Sequence, residues 1–193
     1  MPHLTLEVTY TVRSRYERAI ERNLAELQRA ILNRTTLLGL EDAGGLSGLF
    51  LQLSYYALFN DYVSHCIKVL DRGRQAASFW YIFRTDEKPI VAYAERNGVD
   101  LAALESVSAK LKHIRDKTHF HIDPDAVIDP KAIWRDAGLT GKELSVAVDA
   151  VWNILKELSA SLYLPEVTLP AYDRRVAKRI AIAISEGRIE RDL

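Results

Sequence analysis

Leu4, Leu6, Val8, Tyr10 and Val12 alternate with Thr and Glu over the first dozen residues, the period-2 pattern of a half-buried strand. The same run also fits the frayed entry to a helix. From Arg13 the period lengthens, and Tyr16, Ile20, Leu24, Leu27 and Ile31 recur three or four apart, which predicts a long amphipathic helix ending near Gly39. Ala43-Gly44-Gly45 predicts a turn, since glycine takes backbone angles that other residues avoid. From about Leu46 to Leu70 a second helix is apolar over most of its circumference, with Tyr55, Phe59, Tyr62 and Cys66 as its clearest stripe. Such a helix is expected to be central.

Asp71-Arg72-Gly73 closes that helix, and Ser78 to Arg84 reopens with Phe79, Trp80, Tyr81 and Phe83 close together. These rings are expected to be core or dimer contacts, because base stacking needs exposed rings. Pro89 interrupts, Ile90 to Arg96 resumes, and Asn97-Gly98 stops the helix. Asp100 then fits an N-cap for a helix with the stripe Leu101, Leu104, Val107, Leu111 and Ile114, ending before Pro124. After a short turn around Pro130, Thr140 and Glu143 form a T-x-x-E capping box for a helix carrying Leu144, Val148, Val151, Leu155, Leu158 and Leu162. Pro165 and Pro170 bracket a connector, and Tyr172 to about Gly187 predicts a last helix with Val176, Ile180 and Ile184 inside. The expectation is one all-α domain over residues 1–193, a bundle of about six or seven helices with at most a short N-terminal strand or extension.

Composition narrows the function classes. The 26 Lys and Arg equal the 26 Asp and Glu, so a polyanionic partner has to be met by a local patch rather than by bulk charge. A single cysteine, Cys66, offers neither a disulfide framework nor a thiolate zinc cage. Met1-Pro2-His3 lacks the basic start of a signal peptide, and no stretch has the roughly 18 uncharged apolar residues of a membrane span. A cytoplasmic protein without a membrane partner is expected.

The chemistry concentrates in Lys110-Leu-Lys-His-Ile-Arg-Asp-Lys-Thr-His-Phe-His-Ile-Asp123, which holds three of the five histidines. Lys110, Lys112, Arg115 and Lys117 face only Asp116 in charge up to His121. Arginine presents a fork of donors to two phosphate oxygens and stabilises charge growing in a transition state. Histidine, with an unperturbed pKa near 6.5, exchanges a proton with a ribose 2′-hydroxyl or with the leaving oxygen. Both roles fit RNA, whose 2′-hydroxyl is an internal nucleophile, and neither fits DNA.

The string Arg115-Asp116-Lys117-Thr118-His119-Phe120-His121 resembles the Arg-x4–6-His motif of HEPN ribonucleases. With Asp123 it is similar to the Arg-Asp-Lys-x-x-Ala-His-x-Asp of their abortive-infection branch, and Ala57-Leu-Phe-Asn-Asp61 with Val69-Leu-Asp71 resembles that branch's second helix. Phe120 replaces the usual Ala. Asp123 stands where HEPN proteins with a nucleotidyltransferase partner carry the modified Tyr, so that silencing route is not expected. The resemblance, spanning Arg13 to Leu162, implies a HEPN-like bundle and a homodimeric, metal-independent endoribonuclease acting as a toxin or phage-defence effector. It implies no cofactor, and it leaves room for an antitoxin or regulatory partner. Arg115 and His121 would be catalytic, Asp116 would orient one of them, His119 would assist, and Lys110, Lys112 and Lys117 would bind RNA.

Helix geometry sharpens this expectation. Positions six apart lie roughly 120° apart around a helix and about 9 Å along it, so Arg115 and His121 of one ideal helix do not reach one phosphate. Either the helix breaks before His121, or the segment of a second subunit completes the site. Two other readings stand beside the ribonuclease. The alternation His119-Phe-His121-Ile-Asp123 on a strand would aim two imidazoles and a carboxylate at a metal, giving a metal-dependent hydrolase. A HEPN-type fold without catalysis would be an RNA- or protein-binding module. Arg174, Arg175, Lys178 and Arg179 on the last helix, beside Asp173 and Glu186, form an auxiliary basic patch.

Overall fold

The computed structural model describes residues 14–44, 46, 48–118 and 130–187; the alternating run at 4–12 lies outside them. All regular structure among the described residues is helical: α1 (Arg15–Glu41), α2 (Leu49–Leu70), α3 (Phe79–Thr85), α4 (Glu87–Asn97), α5 (Leu101–Thr118), α6 (Pro130–Ala137), α7 (Gly141–Ser161) and α8 (Arg174–Ser185). The protein is an all-α bundle. None of these helices is long and apolar enough to cross a membrane.

α1 is the hub, packing on α2, α3, α7 and α8, while α5 lies against α2, α6 and α7. The apolar stripe read from the sequence explains this: Ile20, Leu24, Leu27 and Ile31 are buried with Val63, Cys66 and Leu70 of α2 and Val148, Val151 and Leu155 of α7. Each such side chain contributes about 1.5–3 kcal/mol on burial. The aromatic run of α3 belongs to the same core, with Phe79 and Trp80 buried and Phe79, Trp80 and Phe83 in mutual edge or tilted contact.

Helix starts follow local chemistry. The capping box at Thr140 and Glu143 forms as expected, and Asp100 Oδ1 accepts from the Ala102 and Ala103 amides at 2.9 and 3.0 Å. A second capping box, Ser14 with Glu17, opens α1. Gly98 ends α4 in the left-handed region at φ 65°, where side chains are disfavoured. Pro89 does not interrupt a helix. It sits in the first turn of α4, where its missing N–H has no intrahelical partner, and the break falls at Asp86 instead. The segment beginning at Pro130, expected as a turn, is a short helix with proline at its first position.

Two expectations need larger correction. α1 ends at Glu41, near Gly39 as expected, but Gly39 lies inside the helix, buried at a close crossing where an added Cβ would lie 2.3 Å from the Arg174 carbonyl oxygen and 2.8 Å from Ala177 Cβ. That crossing also decides the inward face of α8, where Ala177 and Ala181 are buried and Ile180 is 48% exposed. Ala177 lies against Gly39, Val176 is half-buried and Ile184 packs on the small cluster that holds Ala177 and Ala181, so of the three expected inward residues Ile180 is the one turned out. Finally, α2 is central only over its second half. Near its start Leu51 joins Leu40, Ala177 and Ala181 in a small satellite core, while Leu49, Phe50, Leu53 and Tyr56 are 71, 68, 59 and 62% exposed.

Candidate functional site

Leu111 and Ile114 are buried and fix the rotation of α5, which places Arg115 beside the core face with 20% of its side chain exposed. Its guanidinium meets two carboxylates. Nη1 donates to Asp71 Oδ2 at 2.9 Å across the α2–α5 interface, while Nε and Nη2 both reach Asp116 Oδ1, at 2.9 and 2.8 Å. Lys112, one turn earlier, donates to the other oxygen of Asp116 at 2.5 Å. Asp71 is itself fixed: Oδ1 accepts from the Gly73 amide at 2.8 Å, and its carbonyl accepts from the Ser78 hydroxyl.

Among the described residues this cluster carries two cations, Arg115 and Lys112, and two carboxylates, Asp71 and Asp116. The hydrogen bond from Lys112 comes first among the causes that hold the Asp116 carboxyl below its ordinary range, with Arg115 adding to it. Desolvation alone would lower the Arg115 pKa, but its bond to Asp116 and the nearby Asp71 charge raise it above the ordinary arginine value. Arg115 is thus a permanent cation in a set orientation, the form needed for binding a phosphate.

The structure brings Arg115, Asp116 and Lys112 together and separates Lys110 from them. Lys110 donates to Glu143 Oε1 and to the Gly138 carbonyl, both at 2.8 Å, tying α5 to the start of α7. In turn Lys110 and Thr140 depress the Glu143 carboxyl to about 2. Lys117 is half-buried in the last turn of α5, and His113 is exposed. His119, His121 and Asp123 lie outside the described residues. Among the described residues no three His, Cys, Asp or Glu side chains converge as metal ligands.

Two polar clusters escaped the sequence reading. The pairing of Asp71 with Arg115 is the first, Asp71 being read there only as a helix end and as part of the resemblance. The second lies between α1 and α2, where Glu26 and His65 are both buried and His65 Nδ1 is 2.6 Å from Glu26 Oε2. Arg22 and Lys68 also pair with Glu26, and His65 Nε2 lies 3.2 Å from Asp61 Oδ2. Cys66 beside it is fully buried, and burial pushes its thiol up to about 12, too high for a nucleophile at neutral pH.

Neither a protein-family model, nor a curated protein, nor a solved structure matches the chain.

Proposed function

We propose that the protein is a metal-independent endoribonuclease of the HEPN type, acting as a homodimeric toxin or phage-defence effector. The observation that carries this reading is the double anchoring of Arg115 by Asp71 and Asp116, three residues before the end of α5 and just ahead of His119 and His121. A preset guanidinium at a helix end, followed at once by two imidazoles, supplies the charge stabiliser and the proton carriers that transesterification needs.

In the proposed reaction the 2′-hydroxyl oxygen attacks phosphorus while His121, or His119 in support, exchanges protons with the reacting oxygens. The P–O5′ bond breaks, a 2′,3′-cyclic phosphate remains, and the leaving oxygen takes up a proton. Arg115 bears the charge gathering on the non-bridging oxygens. Lys112, paired with Asp116 but 61% exposed, and Lys117 approach the flanking phosphates, whereas Lys110, 25% exposed and held by both Glu143 and the Gly138 carbonyl, ties α5 to α7 instead. An antitoxin or regulatory partner fits the same reading.

The exposed apolar residues Leu49, Phe50, Leu53 and Tyr56 support self-association, since a cluster of large apolar side chains on one helix favours cover. Leu53 lies 18 residues before Asp71, about 27 Å along the axis at 1.5 Å per residue. A twofold axis at that face does not by itself bring the two Arg115 together, so a composite site needs a contact nearer the end of α5.

The test uses purified protein and its Arg115→Ala and His121→Ala variants with single-stranded RNA, with and without EDTA. EDTA-resistant cleavage lost in both variants is the expected result. Cleavage recovered on mixing the two inactive variants identifies a site shared between subunits, and EDTA-sensitive cleavage points instead to the metal-dependent reading with His119, His121 and Asp123. Tight RNA binding without cleavage favours the binding-module reading, for which the pairing of Arg115 with two carboxylates speaks.

A further inference from the structure

We infer that Asp71 is the positioning residue of this site, setting the plane in which the Arg115 guanidinium meets a phosphate; the inference about its role in turnover rests on the ribonuclease reading.

Among the described residues, the carboxylates that hold Arg115 act as a hinge and a lock. Nε and Nη2 both bond one atom, Asp116 Oδ1, and two donors converging on one oxygen leave the guanidinium plane able to tilt about that oxygen. The bond from Nη1 to Asp71 Oδ2 comes from an element 44 residues away in sequence and opposes that tilt. Asp116 could not act as the lock as well, because Lys112 occupies its second oxygen and because it neighbours Arg115 on the same helix.

The position of Asp71 argues for a selected carboxylate. It caps the C-terminus of α2 in extended backbone (φ −63°, ψ 123°), where the helix dipole disfavours negative charge and no left-handed angle restricts the residue type. Its bond from the Gly73 amide needs only an acceptor, which an Asn side chain also offers. Arg115 is the partner that calls for a charge. The Gly73 bond on Oδ1 leaves Oδ2 aimed across the interface, and the Ser78 hydroxyl, from a side chain 1% exposed as a residue, anchors the Asp71 backbone behind it.

A positioning carboxylate also opposes the substrate, since it adds negative charge next to the site of an incoming phosphate. Its loss therefore has two opposite effects: affinity for RNA rises because the cluster loses a negative charge, and turnover falls because the guanidinium plane is no longer fixed. A structural role alone changes stability and gives no such split.

The experiment compares the full chain with Asp71→Asn and Asp71→Ala in two measurements. The first is kcat and KM on single-stranded RNA, where Asp71→Ala is expected to lose at least tenfold in kcat with KM unchanged or lower, and Asp71→Asn, which keeps an acceptor, to recover part of kcat. The second does not depend on activity: NMR of the Arg115 Nε–H group, assigned by its absence in Arg115→Lys. Its exchange with water is expected to accelerate at least tenfold in Asp71→Ala, with a smaller change in Asp71→Asn. Should Asp71→Ala fail to fold, Asp71→Asn carries both measurements. An Arg115 Nε–H exchange rate unchanged in the folded variants overturns the positioning role, and so does wild-type kcat in an active enzyme. If wild-type protein cuts no RNA, the ribonuclease reading fails alone, and the exchange measurement still decides whether Asp71 orders Arg115.

Discussion

Glu26 Oε2 accepts a hydrogen bond from His65 Nδ1 at 2.6 Å, and both side chains are at least 95% removed from solvent between α1 and α2. Burial by itself raises the Glu26 pKa, but the bonds from His65 and Lys68 and the charge of Lys68 outweigh it and hold the carboxyl below its ordinary 4.5. A folded-state pKa lower than the unfolded one stabilises the native state above the unfolded value, and that contribution disappears as pH falls through the folded one. Glu26→Gln keeps an acceptor for His65 but loses the charge, so it should cost about 1.5–3 kcal/mol at pH 7, the usual worth of a hydrogen bond to a charged group, and progressively less below about pH 4.5. Urea unfolding of both proteins from pH 7 to pH 3 checks this, and a pH-independent difference would contradict it.

The α1–α8 crossing gives a test of packing. In Gly39→Ala the new methyl meets the Arg174 carbonyl, a backbone atom that moves only if α8 moves. The gain of about 1 kcal/mol from replacing a helical glycine acts against a strain of about 1–3 kcal/mol, so the net effect is destabilising and local to α8. Limited proteolysis should cut the connector before Arg174 faster in the variant. Equal cleavage rates with a raised melting temperature would show that the crossing has room to spare.

How much of this was legible depended on the range of the interaction. Helix type, the Thr140–Glu143 capping box, the Gly98 stop and the core aromatics of α3 were readable because each is set by neighbours within a turn or two. Gly39 carried the signature of a helix end, and only the approach of Ala177, far along the chain, turns it into a packing glycine. The same crossing turns the buried face of α8 toward Ala177 and Ala181 and away from Ile180. Glu26 and His65 sit beside core positions and read as surface polar residues until α1 and α2 are laid together. Of the site, Arg115, Asp116 and Lys112 were legible as one helix segment, whereas the α2 carboxylate that completes their geometry became visible only in three dimensions.

Ser108 offers a sharper probe of core polarity. The Trp80 indole N–H donates to its hydroxyl at 2.8 Å, and that hydroxyl donates in turn to the Leu104 carbonyl at 2.9 Å, with both side chains buried. Ser108→Ala strands the indole N–H without an acceptor, at a cost of about 1–3 kcal/mol. Ser108→Thr keeps the hydroxyl and should lose less if its extra methyl is accommodated. Chemical denaturation ranks the three proteins, and an alanine variant as stable as wild type would mean that another acceptor reaches Trp80.

The catalytic prediction has to separate chemistry from folding, and Arg115 makes that separation less simple than its position on a helix surface implies. Arg115→Ala removes the cation that Asp71 and Asp116 share, with Lys112 still paired to Asp116, so a loss of about 1 kcal/mol in stability is expected along with the loss of function. Arg115→Lys keeps the charge but not the planar fork, and cannot reach both carboxylates as arginine does. General acid–base assistance is worth about 10² to 10⁴ in rate and a preorganised charge contact about 10² to 10³. Cleavage should accordingly fall at least 100-fold in His121→Ala and in Arg115→Ala, with Arg115→Lys nearly as impaired while its unfolding midpoint stays closer to wild type. Assays at a temperature where all three variants are fully folded, monitored by circular dichroism on the same samples, remove stability from the comparison. Wild-type cleavage rates in both Arg115→Lys and His121→Ala would show that this motif does not carry the chemistry.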